Sequence, residues 1–181
     1  MNVRPALAQR PQHLYASEGG FTLIEILVTV VILAVGLLGM AGLQLTGMRN
    51  NQSTYLRTQA ALLANDMGER MRANATGFQN GSYDVIDEAN GKNVGEENVD
   101  CRTIAGCTDE QMARNDIYEW NKNLSGLLPM GTGVVCIDST PNDGSPDAPG
   151  CDSVGDVYVF KLWWDDARSG NVNQFFAMSF E

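Results

Sequence analysis

Between Glu25 and Arg49 the chain carries no charged residue for 23 positions, Ile26 to Met48. An α-helix needs about 20 mainly apolar residues to cross the hydrocarbon core of a bilayer, so this run predicts a membrane helix. The two alternatives are a buried core helix and a cleaved secretory signal. A secretory signal has a shorter apolar stretch, roughly 7–15 residues, ending in an A-x-A-like cleavage site, and nothing of that form follows Met48. Past Arg49 the pattern changes from continuous to striped. Leu56, Ala60, Leu63, Met67 and Met71 recur at spacings of three and four, one face of a helix. Arg70 and Arg72 fall in its last turn, where cations suit the negative end of the macrodipole. The stripe predicts that the membrane helix continues as an amphipathic half over 49–77, with Gly77 as terminator. From Phe21 to Asn74 such a helix would measure roughly 80 Å.

The rest of the chain predicts an α+β domain over 78–181. Residues 78–100 are rich in Gly, Asn, Asp and Glu with little periodicity, which reads as a surface connection. Thr108-Asp109-Glu110-Gln111 has the spacing of a capping box. Ala113, Ile117, Trp120, Leu124 and Leu127 follow at helical spacing, so a second helix is expected up to about Leu128, stopped by Pro129. Val134–Asp138 is a short strand candidate. Val157–Trp164 is β-branched and aromatic, and Val172, Gln174, Phe176, Met178 and Phe180 alternate on one face. Asp165–Asn171 between them reads as a hairpin loop with its two adjacent acids in solvent. The expected architecture is a long helix, an extra helix and a small antiparallel sheet.

Charge sharpens the division. The chain has 181 residues, 12 Lys+Arg and 22 Asp+Glu, for a net charge of -10. Residues 76–181 hold six basic and 18 acidic side chains, a net of -12, while residues 1–20 and 21–75 each carry +1. An acidic domain argues against nucleic acid as a partner, because phosphate binding is driven by clustered Lys and Arg. Arg4 and Arg10 precede the apolar run, which favours a cytoplasmic N-terminus and an exported C-terminal domain. Cys101, Cys107, Cys136 and Cys151 all lie in that exported part. Their even number and their compartment favour disulfides. Three connectivities are possible, and Cys101–Cys107 with Cys136–Cys151 is preferred because each pair brackets a plausible loop. No C-x₂₋₄-C pair or histidine accompanies them, so zinc is disfavoured. The single histidine, His13, lies before the apolar run, which leaves no Ser-His-Asp or Cys-His system beyond it. The run Asp138 to Asp156, with Asp143, Asp147 and Asp152, is an acidic loop without EF-hand spacing, and calcium there is a weaker alternative. The expectation is a non-enzymatic protein with no cofactor and no resident metal.

Glu25 is the anomaly, a carboxylate among Phe21, Leu23, Ile24, Ile26 and Leu27. A charge in hydrocarbon costs about 2.5–3.5 kcal/mol or more on insertion scales, so it calls for a partner or a function. The sequence Gly20-Phe21-Thr22-Leu23-Ile24-Glu25 heading a long apolar helix closely resembles the class III signal of type IV pilins and pseudopilins. The resemblance implies a type IV pilin-like fold, with a helical spine packed on a small antiparallel sheet. It implies a leader over 1–20, prepilin peptidase cleavage between Gly20 and Phe21, and N-methylation of Phe21. It also implies that Glu25 meets the new N-terminal amine of a neighbouring subunit inside the membrane, an attraction that strengthens as the dielectric falls. The leader is longer than that of many pilins, and Glu18 stands near the cut where the family usually has Lys or Arg.

A second block narrows the resemblance. Ala61-Leu62-Leu63-Ala64-Asn65-Asp66-Met67-Gly68-Glu69-Arg70-Met71-Arg72-Ala73-Asn74 is similar to a stretch of the minor pilins known as type IV pilus modification proteins. Cys107-Thr108, Asp116, Trp120, Leu127-Leu128-Pro129 and Cys136 fit the same group. This resemblance implies a subunit held by 21–48 in the inner membrane of a Gram-negative bacterium, with its head in the periplasm. It would then join other minor pilins and the major pilin in a complex that primes pilus assembly for twitching motility and carries a tip adhesin. Inner-membrane lipid and the prepilin peptidase complete the implied partners. In pilins the helix can unwind locally on polymerisation, and Gly36, Gly39, Gly42 and Gly47 mark where this sequence would permit it. The alternatives are a minor pseudopilin of a type II secretion system, a calcium-dependent adhesive tip module and, most remotely, a signal-anchored hydrolase.

Overall fold

A computed structural model describes residues 19–87 and 92–180. Arg4, Arg10, His13 and Glu18, and with them most of the expected leader, lie outside the described residues. The chain divides between Thr46 and Gly47 into two compact units. In the first, α1 (Leu23–Ala73) begins, and every described residue up to Thr46 is exposed. This helix is long and apolar enough to cross a membrane.

The second unit, from Gly47 onward, has one main hydrophobic core. The C-terminal half of α1 contributes Leu56, Ala60, Leu63, Ala64, Met67, Gly68 and Met71, all buried. The stripe thus faces the core as its spacing predicted, widened by Ala64 and Gly68. The helix stops at Ala73 rather than near Gly77. Asn74 leaves helical geometry, and its side chain accepts a bond from the Gly77 N–H to start a short helix, α2 (Ala75–Gln79). A side chain at Gly77 would collide with the Asn74 amide. Gly77 therefore serves inside the new helix rather than ending the old one.

The segment after α2 is more than a surface connection. A two-stranded hairpin, β1 (Ile86–Asp87) with β2 (Lys92–Asn93), lies in it, and Tyr83 is completely buried. The following turn, Val99–Arg102, is a 3₁₀ helix. Next comes α3 (Asp109–Leu127), whose capping box is complete: the Gln111 N–H donates to Thr108 Oγ1 at 3.2 Å, and the Thr108 N–H donates to Gln111 Oε1 at 2.9 Å.

Three antiparallel strands follow in the order β3 (Thr132–Ile137), β4 (Tyr158–Trp164), β5 (Gln174–Phe180). Every residue of the central strand β4 is buried, because the sheet is covered on both faces. Tyr158, Phe160, Leu162 and Trp164 join the core with α1 and α3, while Trp163 packs on the other face with Val134 and Cys136. Phe176, Met178 and Phe180 face the main core, as their alternation predicted. Val172 precedes β5 and packs in the smaller cluster instead. The acids of the β4–β5 turn are not equivalent solvated groups. Asp165 is 1% exposed and its carboxylate accepts from the Gly170 N–H at 2.6 Å, which closes the turn.

Candidate assembly site

The Gly20–Phe21 bond lies in a short non-helical stretch, Gly19 to Thr22, in which every residue is exposed. Helix α1 begins immediately after it for a local reason. Thr22 Oγ1 accepts from the Glu25 N–H at 3.3 Å, and Thr22 O accepts from the same N–H at 3.1 Å and from the Ile26 N–H at 3.3 Å. Thr22 is thus the N-cap, and Glu25 falls at the third helical position, where a negative side chain suits the positive end of the dipole. The Thr22-x-x-Glu25 spacing is a capping-box signature that the sequence reading passed over. The Glu25 carboxylate forms no ion pair among the described residues.

The Ala61–Asn74 block has a different job: it fastens α1 to α3. The Trp120 indole N–H donates to the Leu63 carbonyl at 2.8 Å in a fully buried bond. Gly68 gives the ring of Phe180 room to lie against the helix, since a Cβ there would sit 3.0 Å from that ring. Arg70 projects toward α3, with Nε donating to Asp66 at 2.9 Å and Nη1 to Asp116 at 3.2 Å and Glu119 at 3.1 Å. Burial works against the Arg70 charge, but the bonds to Asp66 and Glu119 hold its pKa above the ordinary value. The Tyr83 hydroxyl donates to the other Asp116 oxygen at 2.7 Å, and Asn74 donates to Tyr83 at 3.2 Å and to the Asp109 carbonyl at 2.8 Å. Burial raises the Asp116 pKa and outweighs the opposing bonds from Tyr83 and Arg70. Asp116, picked out by resemblance alone, is the acceptor that ties three segments together.

The cysteines pair as Cys101–Cys107 and Cys136–Cys151, the two pairs that bracket loops. The first closes the turn that leads to the α3 N-cap, and Arg102 inside it donates to Glu119 at 2.6 Å. The second anchors the acidic loop to β3. There the sequence reading missed Lys161, a lysine in the all-buried strand β4. Its ammonium is wholly buried and pairs with Asp138 and with Asp143 Oδ1 at 2.7 Å, and it donates to the Pro149 carbonyl at 2.9 Å. The signal was present in Val-Phe-Lys-Leu-Trp: a single charge in an otherwise apolar strand, opposite an acidic loop of the same chain. Lys161 thus engages Asp138 and Asp143, two of the four acids of the calcium alternative, and among the described residues no cluster of His, Cys, Asp and Glu is placed to hold a metal.

Comparison with known proteins yields two adjoining family matches. Residues 16–41 match the prokaryotic N-terminal methylation motif, and residues 42–118 match the family described as type IV pilin Tt1218. No curated protein and no solved structure gives a significant match. The methylation motif spans Gly20, Phe21 and Glu25, and the pilin match spans the fastened half of α1, Tyr83 and the first half of α3. The pilin match covers less than half of the chain. With its long N-terminal helix and small antiparallel sheets, the chain has an α+β fold consistent with that of type IV pilins, is similar to the type IV pilin Tt1218 family over 42–118, and carries the prokaryotic N-terminal methylation motif.

Proposed function

We propose that the chain is a minor pilin of the PilV type. In this reading it is cut by the prepilin peptidase between Gly20 and Phe21 and methylated on Phe21. It is stored in the inner membrane of a Gram-negative cell through 21–48, with 78–181 in the periplasm. From there it enters the complex that primes pilus assembly, beside other minor pilins, the major pilin and a tip adhesin. The observation that carries the reading is the arrangement around Glu25. The Gly20–Phe21 bond is exposed and non-helical, and the helix starts at once behind it with a carboxylate in its first turn that forms no ion pair among the described residues.

Charge supports a low-copy subunit. A head bearing -12 over 76–181 repels further copies of itself, whereas a mixed assembly can alternate it with less acidic neighbours. The test is Glu25→Ala. The variant is expected to be cleaved normally, because the peptidase acts at Gly20–Phe21, and to be missing from sheared pili. Normal incorporation of the variant would overturn the proposed role of Glu25. A type II secretion pseudopilin is distinguished by deletion: twitching is lost and secretion retained if the pilus is the destination.

A further inference from the structure

The three-stranded sheet has two edges, and the chain treats them differently. On the β3 edge, the Asn93 side chain accepts from the Val135 N–H at 2.6 Å and donates to the Val135 carbonyl at 2.7 Å. Beside it, Asp84 Oδ1 accepts from the Ile137 N–H at 2.9 Å, and the Ile137 carbonyl accepts from the Ser153 N–H at 3.0 Å. The β5 edge has no such cover. Gln174–Phe180 pairs with β4 along its whole length without a bulge, and among the described residues no other hydrogen bond reaches its backbone. Alternate residues of an edge strand turn their N–H and C=O groups away from the sheet, so about three residues of β5 present both groups unpaired.

Edge strands that stay unpaired are blunted by Lys, Pro, a bulge or a short length. β5 has none of these: its seven residues, Gln-Phe-Phe-Ala-Met-Ser-Phe, carry no charge. Its side chains also lack cover. Phe176 and Met178 on the main-core face, and Phe175 beside Trp163 on the other, are only partly buried. An added strand would therefore cover apolar surface on both faces. The head that carries this edge bears -12 over 76–181. That charge disfavours a second copy, which would set two such heads edge to edge, and favours a segment flanked by Lys or Arg.

We infer that β5 is a strand-addition site for an extended segment of another protein, apolar at alternate positions and flanked by basic residues. The site depends on the sheet alone and not on Gly20, Phe21 or Glu25, so its failure leaves the proposed assembly role untouched. The probe is a labelled peptide of alternating valine and threonine with two lysines at each end, titrated onto the full chain in detergent. Fluorescence anisotropy should show saturable one-to-one binding, and hydrogen exchange followed by NMR should slow at least tenfold at alternate amides of Gln174–Phe180 and not in β3. N-methylation of the valines and N-methylation of the threonines should act oppositely, one abolishing binding and the other sparing it, because only one set faces β5. Ser179→Lys, at the one exposed residue of the strand, should weaken binding at least tenfold while circular dichroism stays that of the wild type. A peptide with glutamates in place of the lysines should also bind at least tenfold more weakly. Absence of binding, or equal effects of the two N-methylations, overturns the site. Equal binding of the glutamate peptide overturns the basic partner. A chain that sediments as a dimer with those amides already protected overturns the choice of another protein and assigns the edge to a second copy.

Discussion

The Trp120 indole of α3 donates its N–H to the Leu63 carbonyl of α1 at 2.8 Å, and the bond is wholly buried. The same ring fills the space left by Gly133 of β3, where a Cβ would lie 2.6 Å from it. One side chain therefore joins the long helix, α3 and the sheet. Trp120→Phe should cost about 1 kcal/mol for the lost bond, and Trp120→Ala about 3–5 kcal/mol once the cavity is included. Denaturant unfolding of the full chain in detergent, followed by circular dichroism, checks both. Equal midpoints for Phe and wild type would show that the bond contributes nothing.

Arg70 is the second fastening. Arg70→Met leaves the buried Asp116 carboxylate with the Tyr83 hydroxyl and no cation. A loss of about 1.5–3 kcal/mol is expected from broken bonds to a charged group, reduced in part because Arg70 retains some exposure. Adding Asp116→Asn should recover part of the loss, since it removes the unpaired charge. Additive losses in the double variant would contradict the coupling.

Lys161 supplies the acidic loop with its own cation. Lys161→Met should destabilise the chain by about 3–5 kcal/mol, because it strands the buried Asp138 carboxylate. Lys161→Met with Asp138→Asn should be milder. Millimolar calcium should leave the wild-type melting temperature unchanged. A rise of several degrees would show that the loop takes the metal despite the ammonium.

Asp152 yields a pH prediction. Its carboxylate accepts from the Ser139 hydroxyl, from the Val154 N–H at 2.9 Å and from the Ser139 N–H at 3.0 Å. These bonds, that from the Ser139 side chain foremost, hold its pKa at about 2, below the ordinary 3.8. A carboxylate depressed in the folded state stabilises the fold above its unfolded value. That contribution is lost as pH falls from about 4 to about 2. The wild-type melting temperature should therefore fall more steeply across that window than that of Asp152→Asn. Parallel curves would contradict the assignment.

Local signals carried much of this fold. The stripe from Leu56 to Met71, the Thr108–Gln111 box and the β-branched run to Trp164 each depend on neighbours a few positions away, and each appears where its spacing places it. What stayed illegible was set by distant partners. Tyr83 looks like a loop residue until Asp116 receives its hydroxyl. Asn93 looks like a surface residue until its amide bonds the Val135 N–H at 2.6 Å and the Val135 carbonyl at 2.7 Å, covering the edge of β3. Asn74 broke the helix where the stripe alone would have extended it to Gly77. At the candidate assembly site the residue types were legible, because Gly20, Phe21 and Glu25 lie in a local motif. The way Thr22 caps the helix and sets Glu25 in its first turn was not read there.

The central claim is that this chain is made as a prepilin and matures into a pilus subunit. Its most direct test is intact-mass and N-terminal peptide mass spectrometry of the chain recovered from sheared pili and from inner membranes. The account predicts a mature chain beginning at Phe21 with a single methyl group on its amine, present in both fractions. A chain that keeps residues ahead of Phe21, or that never leaves the membrane fraction, would contradict it.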